Sequence, residues 1–309
     1  METTRFLNLD CVRLKNESIE LLVTQSVGPR IIRLSFLGGK NLLAELPDLA
    51  LDCPGKDDKL NLYGGHRLWH APQIEERTYL PDNQPVEIKA IEKGLVVIQP
   101  TEAETCIQKS LRITLPDNSP TVVVDHSFKN EGMWPIETAP WAITQLPKGG
   151  VAIMPQLTEN VDATEVWPNR SIALWPFTDI NSSHIHWGNR FIFVEANMHE
   201  GMLKFGLPNP DGWLAYHCDD TLFVKHAVYQ QQAPYFDRGS SSQVYCDPSL
   251  IELETVAPKS TIAPGDTVTH RETWTLYSNI EFEQSEEAAQ TLVKQLNITS
   301  LSRENNGQR

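Results

Sequence analysis

The 309-residue chain sets 26 Lys and Arg against 40 Asp and Glu, a formal charge of −14, and a surface of that sign repels nucleic-acid phosphates and anionic lipid heads. Its 40% hydrophobic content, with 8 Trp, 10 Phe and 7 Tyr, supplies a large core, while no run reaches the roughly 18 apolar residues of a membrane-spanning helix. Nucleic-acid binding, membrane embedding and disorder of the whole chain are the classes set aside.

The opening METTRFLNLDCVRL has neither the basic leader nor the apolar segment of a secretory signal, so a cytoplasmic chain is expected. Five cysteines without a CxxC pair read as reduced thiols. The first strand is predicted at 18–25, SIELLVTQ, by its period-two alternation.

Residues 60–73, LNLYGGHRLWHAPQ, concentrate chemistry. His66 and His70 stand four apart, which on a helix would suggest zinc. However, Arg67 rather than Glu follows the first histidine, and Gly64-Gly65 and Ala71-Pro72 oppose a helix. The stretch reads instead as a turn at the rim of a ligand pocket. Its glycines let backbone approach a ligand, and the Arg67 fork beside His66 suits hydroxyl or carboxylate groups. Trp69 and Trp141 are either platforms for a sugar ring or core.

Further strands are predicted at 85–100, 106–115, 121–130, 191–196, 221–229, 243–247 and 269–277. They are separated by turns such as PDNSP (116–120), KGG (148–150), PNPDG (208–212) and APGD (263–266). In HIHWG (184–188) the nearest glutamate after His186 is Glu195, which does not fit a metal-binding pattern. The chain has no GxSxG elbow, Walker loop or GxGxxG, so no cofactor and no metal is expected.

In SLIELETVAP, Glu252 and Glu254 leave one face of a strand, either as polar decoration or as the wall of a cleft where burial would tune a general base. One helix is predicted, 285–296, with Ser285 as N-cap, acids in its first turn and Leu292, Val293 and Leu296 on one face. A polar tail at about 301–309 follows. With no repeat or linker, the expectation is a single domain over 1–309, an all-β antiparallel sandwich with a C-terminal helix.

Several of these stretches resemble the galactose mutarotase-like superfamily. SIELLVTQSVGPRIIRLSFLGGKNLL is similar to its opening strands, and IELETVAPKSTIAPGD to the late aldose 1-epimerase strand that carries the catalytic glutamate. CDDTLFVKHAVY resembles its Asp-x-x-Phe-Val strand, and YGGHRLWHAP sits where the superfamily places a Gly-Gly loop at the mouth of the sugar cleft. The resemblance spans about residues 18–277.

It implies a supersandwich with a cleft for a small-molecule carbohydrate, Glu254 as general base and Asp220 as hydroxyl binder. The epimerase acid histidine has no counterpart, because the comparable stretch is APWAITQL (139–146). The expected site therefore pairs Glu254 with His66 as candidate catalytic groups, and Arg67, His70, Trp141, Asp220, Lys225 and Glu252 as substrate binders. The implied function is a carbohydrate-active protein, an aldose 1-epimerase-like isomerase using Glu254 on a sugar. The alternative is a carbohydrate-binding or accessory module without turnover.

Overall fold

Period-two alternation is realised as antiparallel strands in the computed structural model, which describes residues 2–158 and 166–298. The predicted strand at 121–130 forms over Thr121–Asn130, with every even-numbered residue buried and every odd one half-exposed. The stretch at 85–100 is two strands rather than one, Glu87–Ile91 and Gly94–Ile98, because Lys93 takes a left-handed turn conformation (φ 54°) between them. The chain is nearly all β, in large antiparallel sheets of the expected sandwich class.

The predicted helix forms over Glu286–Gln295. Ser285 Oγ accepts from the Ala288 amide at 3.1 Å, satisfying one of the amides a helix start leaves open. Ala289 and Leu292 are buried among Ile153, Phe191, Phe193 and Trp213. Among the described residues no helix is long and apolar enough to cross a membrane. All five cysteines are free. The tail at 301–309 lies outside the described residues.

The chain divides into two compact units, Met1–Leu146 with Val256–Thr273, and Pro147–Thr255 with Trp274–Arg309. In the first, one sheet runs Glu2–Phe6, Leu9–Lys15, Ile19–Thr24, Arg30–Phe36, His66–Ala71, Ile136–Leu146. The facing sheet includes Glu87–Ile91, Gly94–Ile98, Ile107–Thr114 and Thr121–Asn130, flanked by the first part of Thr267–Tyr277. A separate hairpin pairs Glu45–Asp52 with Lys59–Gly64.

In the second unit Ala173–Leu174, Leu203–Leu207, Ser242–Cys246 and Ile251–Val256 are neighbours in one sheet. Ile185–Trp187, Phe191–Glu195, Val151–Pro155, Trp213–Cys218 and Thr221–Ala227 are neighbours in the other.

Candidate functional site

The register of the second unit decides what surrounds Glu254. Gly206 pairs with Gln243 and Gln243 with Glu254, while Lys204 pairs with Tyr245 and Tyr245 with Glu252. Directly paired residues share a face and alternate residues return to it, so Glu252, Glu254, Gln243, Tyr245, Lys204 and Gly206 form one polar face. The opposite face carries Leu203, Phe205, Val244, Cys246, Ile251 and Leu253, all buried. The expected pairing of Glu252 and Glu254 on one face is present, with Glu252 half-exposed and Glu254 fully buried.

Burying a carboxylate is costly unless a counter-charge compensates it. Lys204 Nζ lies 2.8 Å from Glu254 Oε2, and the same ammonium sits 4.9 Å from the centroid of the half-buried Trp175 ring. Beside them Gln243 Nε2 donates to Asp237 Oδ2 at 2.8 Å.

Asp237 and Arg238 are both left-handed (φ 49° and 59°), followed by Gly239 at φ 90°, a conformation that side-chain-bearing residues adopt at a cost. The turn fits against the sheet because Gly206 lacks a side chain: a Cβ there would come within 2.8 Å of Ser240 and 2.9 Å of Gln243. A carboxylate, an ammonium, an amide, a second carboxylate and an indole thus converge on one sheet face.

The other predicted residues of this unit, Lys225 and Asp220, come from the Trp213–Cys218 and Thr221–Ala227 hairpin of the other sheet. Lys225 is fully buried and donates to the Leu253 carbonyl at 2.9 Å, from the strand of the opposing sheet. Asp220 is exposed on the hairpin turn between Trp213–Cys218 and Thr221–Ala227, where it accepts from Thr221 Oγ1. Neither residue belongs to the strands that form the polar face of Glu254.

In the first unit the motif at 60–73 is two strands, Lys59–Gly64 and His66–Ala71, rather than a loop rim. Its glycines are required by the protein's own backbone. Gly64 and Gly65 are left-handed (φ 87° and 78°), and a Cβ on them would meet the Ala44 carbonyl oxygen at 1.9 Å and that of Ile31 at 2.3 Å.

Because His66 and Arg67 are strand neighbours, they leave opposite faces, and the expected fork beside an imidazole does not form. Arg67 and Trp141 share one face through Trp69. The Arg67 guanidinium lies 5.3 Å from the Trp69 ring, and the two indoles meet edge-on at 5.5 Å. Arg67 Nη2 donates to the Leu62 carbonyl at 2.8 Å and to that of Asn61 at 3.2 Å, and both Arg67 and Trp141 are buried.

His66 and His70 occupy the opposite, inter-sheet face. His70 Nε2 meets Glu102 Oε2 at 2.8 Å, and Lys109 Nζ meets Glu102 Oε1 at 2.6 Å. Burial, and then the Lys109 charge, pushes the His70 imidazole down to about 4 despite its bond to Glu102. Burial alone would raise Glu102, but Lys109 and His70 outweigh it and hold its carboxyl well below the usual range. His66 is fully buried, with Nδ1 2.9 Å from Thr144 Oγ1 and Nε2 2.6 Å from His126 Nε2.

Sequence reasoning passed over Lys204, Gln243, Glu102 and Glu272. The signal for Lys204 is faint: in GMLKFGL it alternates with Leu203 and Phe205, which sets its face but not its partner. In HIHWG, His184 bonds Asn197 at 2.6 Å and His186 bonds Glu195 at 2.7 Å.

No family model matches the chain, and no curated protein matches it. Solved structures do. A TPR-domain containing protein from Parabacteroides distasonis superposes with TM-score 0.62 at 13% identity, over 89% of this chain and 48% of that one, so the chain spans about half of its length. A galactose mutarotase-like protein from Lactobacillus casei matches with TM-score 0.56 at 10% identity, covering 86% of this chain and 100% of the other. A putative mutarotase from Salmonella typhimurium matches with TM-score 0.57 at 11% identity, covering 89% and 93%. Architecture, strand content and these superpositions agree, and the chain has the galactose mutarotase-like fold.

Proposed function

We propose that the chain binds a small carbohydrate at the polar face of the second unit. The observation that carries this reading is the Glu254–Lys204 pair at 2.8 Å with Lys204 4.9 Å from the Trp175 ring. Sugars offer hydroxyl groups that both donate and accept, and ring C–H faces that stack on indole. Charged and amide groups beside an aromatic ring answer both needs. Glu254 is also the position to which the family resemblance assigns the catalytic carboxylate, which supports the same place.

Recognition without turnover is favoured over epimerisation. A general base must come within hydrogen-bond reach of the proton it removes, whereas Glu254 is enclosed with Oε2 on Lys204, and His66 is enclosed in the first unit against His126 and Thr144. A second reading has its own support: the same contact sets a proton donor beside the base, and Lys204 would then serve as the acid in mutarotation.

Calorimetric or NMR titration with a panel of aldoses and sugar phosphates, run beside polarimetry of fresh anomers, separates the readings. Recognition predicts saturable binding, weakened about 10-fold in Trp175→Ala, which removes the half-buried indole beside Lys204, with anomer exchange equal to buffer. Exchange above buffer that disappears in Glu254→Gln establishes the second reading. Absence of saturable binding by every sugar in the panel removes both.

A further inference from the structure

The inter-sheet core of the first unit contains a second cluster, unrelated to the polar face of Glu254. On Thr121–Asn130 the buried positions read Val122, Val124, His126, Phe128, Asn130, and the first part of Thr267–Tyr277 buries His270 and Glu272. His126 and Glu272 therefore face His66 across the gap between the sheets, and all three side chains are fully buried. From this juxtaposition we infer that His66, His126 and Glu272 hold a divalent transition-metal cation of the zinc class that pins the two sheets together.

The geometry is specific. His66 Nε2 and His126 Nε2 are 2.6 Å apart, and Glu272 Oε2 is 4.0 Å from the first and 3.9 Å from the second. The centre of a triangle with sides 2.6, 3.9 and 4.0 Å lies about 2.1 Å from each corner, within the range of about 2.0–2.2 Å for zinc bound to imidazole nitrogen and carboxylate oxygen. A single ion at that point touches all three atoms.

The remaining ring nitrogens are arranged as metal-binding histidines require. A carbonyl only accepts, so the 3.0 Å contact from His126 Nδ1 to the His270 carbonyl places a proton on Nδ1 and turns the lone pair of the neutral ring toward His66. His66 Nδ1 is anchored on Thr144 Oγ1 at 2.9 Å. Partners of this kind fix the orientation of both rings and raise their basicity. Two imidazole nitrogens 2.6 Å apart share either a hydrogen, donated by one neutral ring to the lone pair of the other, or a metal ion. A hydrogen on the N–N line joins the two histidines alone, whereas an ion at the common centre engages the Glu272 carboxylate as well, and the three ligand atoms lie within 4.8 Å of one another. Two nitrogens and one carboxylate oxygen suit zinc, whereas calcium and magnesium take oxygen-rich shells.

The test is elemental analysis of the full chain purified without chelator. The expected result is one zinc-class ion per chain that survives dialysis of folded protein against EDTA and leaves when the protein is unfolded in it. Refolding with cobalt restores the thermal midpoint and gives visible d–d bands of a nitrogen- and oxygen-ligated site. Glu272→Gln lowers metal retention at least ~10-fold, while His186→Gln, at the exposed histidine pair, leaves it unchanged. Should Glu272→Gln fail to fold, the cobalt spectrum of the natural chain decides alone. Sub-stoichiometric metal both as purified and after refolding with zinc or cobalt, with the same thermal midpoint in chelator, overturns the inference and assigns the contact to an N–H···N hydrogen bond. Metal lost equally in His186→Gln overturns it as well.

Discussion

Both units bury charged groups, but they bury them in different places. In the first, His66, His70, Lys109 and His126 are buried side chains of two facing sheets, and the buried Glu102 reaches His70 and Lys109 from the loop after Gly94–Ile98. In the second, Glu254 and Lys204 lie on the sheet face opposite Leu253, Val244 and Phe205, among groups that keep partial exposure: Trp175, Asp237, Tyr245 and Glu252. Polar groups inside an apolar layer hold strands together. Polar groups on the reverse face, beside an indole, have the composition of a recognition surface. The same residue types thus read differently once the face is known.

The largest effect should come from splitting the Glu254–Lys204 pair. Removing one partner of a buried ion pair costs about 3–5 kcal/mol, because the other charge stays buried, while replacing both by apolar groups is often neutral. Urea unfolding should therefore show Lys204→Met strongly destabilised and Lys204→Met with Glu254→Leu recovering most of the loss. If the double variant also keeps full sugar affinity, the pair is structural and the contrast between the units disappears.

Acid should act first on the other side of the comparison. The His70 imidazole is depressed from 6.5 to about 4, so between those values the unfolded chain binds more protons than the folded one. Stability then falls as pH drops through that window. Glu102, held low, adds to the loss as pH falls below its ordinary range. The His70 contribution is on the order of 3 kcal/mol, and His70→Gln should flatten the slope of unfolding free energy between pH 6.5 and 4. An unchanged slope would place the titrating group elsewhere.

Gly65→Ala sharpens the structural reading of the motif at 60–73. A Cβ at φ 78° pressed to 2.3 Å from the Ile31 carbonyl oxygen should cost about 2 kcal/mol or more in thermal unfolding. A neutral result would return the glycine pair to a ligand-facing role. The smallest change is Ser285→Ala, which removes the N-cap of the terminal helix far along the chain from either cluster. It should cost about 1 kcal/mol in the same assay without altering the acid slope.

Much of the architecture was legible without coordinates. The strand 121–130 has its predicted bounds, and the helix was announced by Ser285 and two acids before an apolar stripe. The residues also carried the resemblance on which the fold was expected. Less of the site could be read. His66 and Arg67 looked like one fork because they are adjacent, yet in a strand adjacency means opposite faces, and Gly64-Gly65 invited a loop where a close strand pair was being made.

By itself the sequence determined the class of element, its face pattern and the carboxylate pair at 252 and 254, since these depend on neighbours a few residues away and on the two-residue period of extended chain. Only the tertiary structure decided that Glu254 is matched by Lys204, fifty residues earlier, and His66 by His126 and Glu272 from the facing sheet. Those partners follow from strand order and sheet packing, which bring together positions whose separation along the chain carries no trace of the contact.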